Sequence, residues 1–226
     1  FGAHSGGLPW SGFPRDILIE GNTFKQRDTL SPLGLTGREM ETSLRLDPVY
    51  GCTVRNNKFL GGTAIAKYTG IEIAAGNVAG LGPIYGDIAI YNNSLYKQNA
   101  GTGGTWGAFI STSNGGNGAQ GVDIRNVRLW NNCYHFVAAS TDARKFINIQ
   151  GSFDHATQLQ SNGNFVYNTA QPGGFATVGG TQYTLDGWRI AFPGRDSGSF
   201  VDQNPQYRNP SIGDLAPAVG SPLIDS

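Results

Sequence analysis

The sequence is poor in several things at once. It has two cysteines in 226 residues, too few for a disulfide framework. Five lysines, four glutamates and one methionine leave few strong helix formers, which argues against a helical protein. Sixteen basic and sixteen acidic side chains cancel to a formal net charge of zero, and only 14% of residues are charged. No basic stripe forms, so a nucleic-acid partner is disfavoured. No apolar run approaches the roughly 18 residues that a membrane span needs. There is no Gly-x-Ser-x-Gly elbow. Glycine runs such as Gly103-Gly104-Thr105-Trp106 lack the strand-then-helix context of a phosphate-binding loop. His4, His135 and His155 have no metal-ligand spacing and read as solvated or core-edge residues.

What is abundant is glycine, with 34 residues, or about 15% against a usual ~7%. With 38% hydrophobic and 11% aromatic residues, the chain has material for a core, and the composition points to strands and tight turns. A repeat organises it. Ile17-Leu18-Ile19-Glu20-Gly21-Asn22-Thr23-Phe24 returns as Cys52-Thr53-Val54-Arg55-Asn56-Asn57-Lys58-Phe59. It returns again as Ile88-Ala89-Ile90-Tyr91-Asn92-Asn93-Ser94-Leu95 and as Val127-Arg128-Leu129-Trp130-Asn131-Asn132-Cys133-Tyr134, with a weaker copy at Ser161-Asn162-Gly163-Asn164-Phe165-Val166. Alternation of period two marks a strand with one buried face. The Gly-Asn or Asn-Asn pair, tolerant of left-handed backbone, marks a corner. Cys52 and Cys133 fall at different repeat positions and read as separate thiols.

A second strand lies between copies: Leu44-Arg45-Leu46-Asp47, Ile71-Glu72-Ile73-Ala74, Ala108-Phe109-Ile110-Ser111 and Ile147-Asn148-Ile149-Gln150. Turns of chain with at least two strands each, stacked about 4.8 Å apart, make a solenoid with a continuous apolar interior. An ordinary sandwich would not place an Asn at the same point after four strands.

The arrangement resembles the right-handed parallel β-helix of the pectate-lyase-like superfamily over residues 13 to 168. The resemblance implies an all-β solenoid of about five coils with long protruding loops. Asn22, Asn57, Asn93 and Asn132 would form its internal asparagine ladder, and Phe24, Phe59, Leu95 and Tyr134 the neighbouring interior stack. The ending Gly220-Ser221-Pro222-Leu223-Ile224-Asp225 is similar to that of many secreted bacterial β-helix proteins. Residues 1–168 are expected to form the coils, and 169–226, with Tyr183, Trp188 and Phe192, an irregular C-terminal cap packed on the same domain. Protruding loops are expected at 26–43, 74–86 and 97–121. A chain opening Phe1-Gly2-Ala3-His4 reads as a piece of something longer, with a further N-terminal portion or another chain covering the first coil. Secretion or display at the cell surface is expected.

Alternate residues of the second strand face outward and stack into rows: Arg45, Glu72, Phe109 and Asn148, then Asp47, Ala74, Ser111 and Gln150. Such a mixed polar row suits an extended polysaccharide. Uronate-polysaccharide lyases of this fold use a cation to neutralise the substrate carboxylate and a base, commonly Lys or Arg, to remove the adjacent ring proton. Arg45, Lys67, Arg144 and Lys145 are candidates for these roles, with Asp47 and Glu72 as possible Ca²⁺ ligands. Glu41-Thr42-Ser43-Leu44-Arg45-Leu46 is loosely similar to an E-T-x-R-x string of alginate and chondroitin lyases, while an R-H-G string is absent. Hydrolysis is the other possibility, because Asp47 and Glu72 would sit about 8 Å apart, within the ~6.5–9.5 Å of inverting glycosidases. Arg45 and Glu72 also read as a plain cross-coil ion pair. Phe109, Ser111, Asn148, Gln150, Arg144 and Lys145 are the expected substrate contacts. A different class of function remains open: a non-catalytic glycan-binding or structural module, such as an adhesin or phage-fibre segment. On the other strand's outward face, Leu18, Thr53, Ala89 and Arg128 and then Glu20, Arg55, Tyr91 and Trp130 suggest covering loops or a partner surface.

Overall fold

The computed structural model describes residues 15–25, 42–46, 49–61, 68–74, 85–99, 107–113, 124–138, 145–150, 154–169 and 173–224. Each turn of chain contributes three strands, and these stack into three parallel sheets of a β-solenoid. Sheet 1 holds Arg15–Glu20, Tyr50–Arg55, Tyr85–Tyr91, Ile124–Trp130 and Leu159–Asn162. Sheet 2 holds Thr23–Lys25, Lys58–Gly61, Ser94–Asn99, Cys133–Ala138, Phe165–Asn168 and Phe200–Val201. Sheet 3 holds Thr42–Leu46, Tyr68–Ala74, Gly107–Ser113, Lys145–Ile149 and Gly174–Val178, closed by the antiparallel Thr181–Thr184. The long first strand read from the sequence is thus two strands, one in sheet 1 and one in sheet 2, hinged at the Gly-Asn or Asn-Asn pair.

That hinge is a left-handed residue followed by an interior asparagine. Gly21, Asn56, Asn92, Asn131 and Gly163 have φ of 69°, 56°, 56°, 53° and 65°, a region open to Gly and tolerated by Asn. The next residue enters the ladder. Asn57 Oδ1 accepts from the backbone N–H and the Nδ2 of Asn22, at 2.9 and 3.2 Å. Asn93 does the same for Asn57, Asn132 for Asn93, and Asn164 for Asn132, all within 3.0–3.2 Å. From Asn57 to Asn164 each Nδ2 also donates to a carbonyl of the preceding coil, as Asn93 does to Val54 at 2.9 Å. Asn57, Asn93, Asn132 and Asn164 are buried, whereas Asn22, in the first coil, is exposed.

Inside, Ile17, Cys52, Ile88, Val127 and Leu159 share one register row of sheet 1. Phe24, Phe59, Leu95, Tyr134, Val166 and Val201 share one of sheet 2, with the Phe24 and Phe59 rings stacked at 4.9 Å. Cys52 and Cys133 are both free and buried. Burial pushes their thiols up, to about 11 and about 12, so neither is a poised nucleophile.

The C-terminal end closes around Asp196, which is fully buried. Its Oδ1 accepts from Ser161 Oγ at 2.9 Å, Ser199 Oγ at 2.6 Å and Asn164 Nδ2 at 3.3 Å, and its Oδ2 accepts from Trp188 Nε1 at 2.9 Å. Trp188 lies on the helix Leu185–Ala191, capped by Thr184. With Phe175, Tyr183 and Phe192 around it, at ring distances of 6.1, 5.9 and 4.4 Å, it plugs the barrel end.

The remaining chain runs back along the outside of sheet 2 as a strap containing the hairpin Tyr207–Asn209/Asp214–Pro217. Tyr207 and Leu215 of the strap bury themselves with Cys133 and Phe165, against Leu60 and Tyr96. His135 lies beneath, in edge contact with Tyr96 and Tyr167 and tilted on Tyr207 at 5.6 Å. Burial among these rings pulls its imidazole down to about 4.

Four outcomes follow from this packing. Asn93→Ala strands a buried N–H of Asn57 and the carbonyl of Val54, and should lower stability by about 3 kcal/mol in urea unfolding. Asn22→Ala at the exposed first rung should cost well under about 1 kcal/mol. Asp196→Asn puts either an NH₂ against the Trp188 N–H or one against the two serines, and should cost about 2–3 kcal/mol. For His135, whose folded value is depressed, the unfolded chain binds a proton between about pH 6.5 and 4 while the folded chain does not. Stability should therefore fall by up to about 3 kcal/mol as pH drops through that window. His135→Phe should flatten this part of the profile in pH-dependent urea melts.

Candidate functional site on sheet 3

The corner between sheets 1 and 2 is two residues in every coil from the first to the fifth, whereas the connections flanking sheet 3 include residues 26–41, 75–84, 100–106 and 114–123. Sheet 3 is therefore the face with the longest chain segments around it. The loops expected at 26–43, 74–86 and 97–121 fall mostly on these residues, outside those described.

Arg45, Glu72, Ser111, Asn148 and Thr177 occupy one register row across five adjacent strands. From Arg45 to Asn148 the row spans three inter-strand steps, about 14 Å at the ordinary spacing. Arg45 Nη1 lies 3.7 Å from Glu72 Oε2, with the arginine side chain 48% exposed and the glutamate 17%. Thr42 Oγ1 donates to the same Glu72 oxygen at 3.2 Å. The cross-coil ion pair anticipated for these residues is present. At this exposure such a pair contributes at most about 1 kcal/mol. Ser111 is buried although it belongs to this row, and Asn148 is half-buried. Gln150 is half-buried too, its backbone N–H donating to Thr112 Oγ1 at 3.2 Å.

Phe109 requires a correction. The register sets Glu72 beside Ser111, not beside Phe109, so the true offset is two residues longer than the one read from the sequence. Phe109 is fully buried. Its ring packs edge-on to Phe59 at 5.6 Å and parallel to Tyr134 at 6.4 Å. The reason is local: Phe109 and Ile110 both turn inward at the corner, breaking the alternation, and the space for the ring comes from Gly70. A Cβ at Gly70 would lie 2.6 Å from the Phe109 ring and 2.9 Å from Leu95. Phe109 is thus a core residue and offers no exposed platform for a sugar.

Lys145 differs from expectation as well: it is buried, at 2% exposure, instead of being displayed. It shares the register position of Ala108, Thr69 and Thr42 at the start of the strand. Burial lowers its ammonium to about 8, because desolvation disfavours the charged form. Asp47, Lys67 and Arg144 lie outside the described residues.

Of the two possible calcium ligands, Glu72 has its Oε2 facing a guanidinium and accepting from a hydroxyl, and Asp47 lies outside the described residues. Among the described residues, no group of three or more His, Cys, Asp or Glu side chains converges on one point.

The outward face of sheet 1 is as aligned as expected, with Glu20, Arg55, Tyr91 and Trp130 in one row. Its groups largely satisfy one another. Arg55 forks onto Glu20, with Nε 2.8 Å from Oε1 and Nη2 donating to Oε2 at 3.0 Å, and its Nη1 donates to Tyr91 Oη at 3.1 Å. That fork holds the Glu20 carboxyl below its ordinary range. Arg128 lies 5.7 Å from the Trp130 ring centroid.

Sequence reasoning missed a second left-handed column at the entrance of sheet 1: Asp16, Gly51, Asp87 and Asn126, with φ of 55°, 67°, 54° and 51°. The signal was there, since all four are residue types that tolerate this region. Asn126 Nδ2 donates to Asp87 Oδ1 at 3.0 Å, and a Tyr50 hydrogen bond helps hold the Asp87 carboxyl below its ordinary range. Comparison with family models, with curated proteins and with solved structures finds no match to this chain.

Proposed function

We propose that the outer face of sheet 3 binds an extended polysaccharide and that the protein is a secreted, carbohydrate-active β-helix protein of the pectate-lyase-like kind. The observation that carries this reading is the polar row Arg45, Glu72, Ser111 and Asn148, aligned across four strands on the face with the longest flanking connections. A linear glycan laid across the strands meets a guanidinium, a carboxylate, a hydroxyl and an amide at successive steps. Such groups match sugar hydroxyls and, at Arg45, a uronate carboxylate.

For a uronate glycan the reaction is β-elimination. The Arg45 guanidinium neutralises the substrate carboxylate and so acidifies the adjacent ring carbon. Lys145 is buried and lies three strands and three residues from Arg45, too far to reach the same sugar, so Lys67 and Arg144 remain the candidates for the base that takes that proton. The carbon–hydrogen electrons become the ring double bond, the glycosidic bond breaks, and its oxygen leaves with a proton from water. Hydrolysis of a neutral glycan is the variant that would need Glu72 paired with a second carboxylate. A non-catalytic glycan-binding module is the second reading, and the Arg45–Glu72 ion pair favours it, since each charge already has a partner.

The test is a polysaccharide-panel digest reading both unsaturated-uronate absorbance and total reducing ends. Unsaturated ends should form, and fall at least about 100-fold in Arg45→Ala. Reducing ends without absorbance would replace elimination by hydrolysis. Silence from folded protein that still binds a polysaccharide would leave the binding module.

A further inference from the structure

Away from sheet 3, the corner between sheets 1 and 2 carries a groove of about 310 Å³. It lies where the residue type changes along the corner column. The second, third and fourth coils place Asn56, Asn92 and Asn131 at the left-handed corner. The fifth coil places Gly163 there, and Gly198 holds the corresponding place one coil on, two residues before Phe200, which pairs with Phe165. The place of a Gly163 Cβ is taken by the Asn131 side chain, and a Cβ at Gly198 would lie 3.3 Å from Asn162 Oδ1. The groove lies beside these two glycines.

The walls differ in chemistry. Phe200 is 42% exposed and rests on the buried ring of Phe165, centroids 6.3 Å apart. Leu223 of the strap closes the other side. Asn131 contributes an exposed amide, a donor and an acceptor in one group. None of the described lining side chains is charged.

We propose that this groove is a binding site for a single neutral sugar ring, separate from the sheet 3 face and not dependent on its activity. An uncharged lining disfavours uronates, phosphates and cations, which would lose hydration without a counter-charge. A pyranose has what the groove asks for: an apolar C–H face to lie on Phe200 and hydroxyls to meet the Asn131 amide. The volume lies at the low end of small-molecule sites, enough for one ring and not for a chain buried along its length. The groove would thus hold one residue or one end of a neutral glycan.

Saturation-transfer NMR with methyl glucoside, methyl galactoside, methyl mannoside, methyl glucuronide and cyclohexanol, on the intact chain, tests it. At least one neutral glycoside should receive saturation and shift the Gly163 and Gly198 amide resonances, with the glucuronide at least about tenfold weaker. Phe200→Ala should weaken binding roughly tenfold, and Gly198→Asn, which adds a side chain at the groove wall, should abolish it. Arg45→Ala should leave it unchanged, which separates this site from the polysaccharide face. Far-ultraviolet circular dichroism confirms that each variant is folded. No transfer to any neutral glycoside, equal binding of the glucuronide, binding of cyclohexanol alone, or indifference to both groove variants would each overturn the proposal.

Discussion

The constraint on which this structure depends is that every coil must hand its interior polar groups to the next. Turning a corner frees a backbone N–H inside an apolar tube, and an unpaired group there costs on the order of 1–3 kcal/mol. The asparagine ladder answers this with one side chain per coil, whose Oδ1 takes both the N–H and the Nδ2 of its predecessor. The ladder therefore has a direction. Acceptors face the first coil, and donors emerge at the C-terminal end. There the chain changes chemistry: Ser199 Oγ accepts the Asn164 N–H at 2.8 Å and the Asp196 carboxylate takes its Nδ2. A carboxylate suits a place where hydrogen-bond donors accumulate, since charge-assisted bonds are roughly twice as strong as neutral ones.

Much of this was legible in the sequence because the ladder is periodic in residue type. Four asparagines after four alternating strands identified a parallel solenoid, and the weaker fifth copy at Asn164 joins the same ladder. The number of strands per turn was harder to read. The two-residue corner shifts the buried positions by one, from Cys52 and Val54 to Asn57 and Phe59, but it is so short that sheets 1 and 2 read as one strand bent at a corner. The strap over sheet 2 was illegible for another reason. It follows no repeat, and its contacts to Leu60, Tyr96 and Cys133 join residues far apart in the chain.

The misreading of Phe109 shows where periodicity fails. Alternation assumes a flat pleat, but at the entrance of sheet 3 two successive residues turn inward, and Phe109 fills what Gly70 leaves empty. The signal was the glycine, not the aromatic. Arg45 and Glu72 were placed correctly because their strand alternates cleanly from Leu44 to Leu46, buried, exposed, buried. The burial of Lys145 had no local signal, since nothing in the pattern of its strand distinguishes a displayed lysine from a covered one.

Glycine carries two separate meanings in this chain, and the difference bears on where ligands can go. Gly70 is filled by its neighbours and belongs to the core. Gly163 and Gly198 stand where the second to fourth coils carry asparagine, and they line the surface groove beside the Asn131 side chain. A stacked fold makes such differences visible, because each coil is a control for the next. A residue that departs from its column either accommodates a neighbour, as Gly70 does, or leaves room for something from outside. The sheet 3 row and the corner groove are two places where the described coils depart from simple repetition. One departs in charge and the other in volume, which is why they call for ligands of different chemistry.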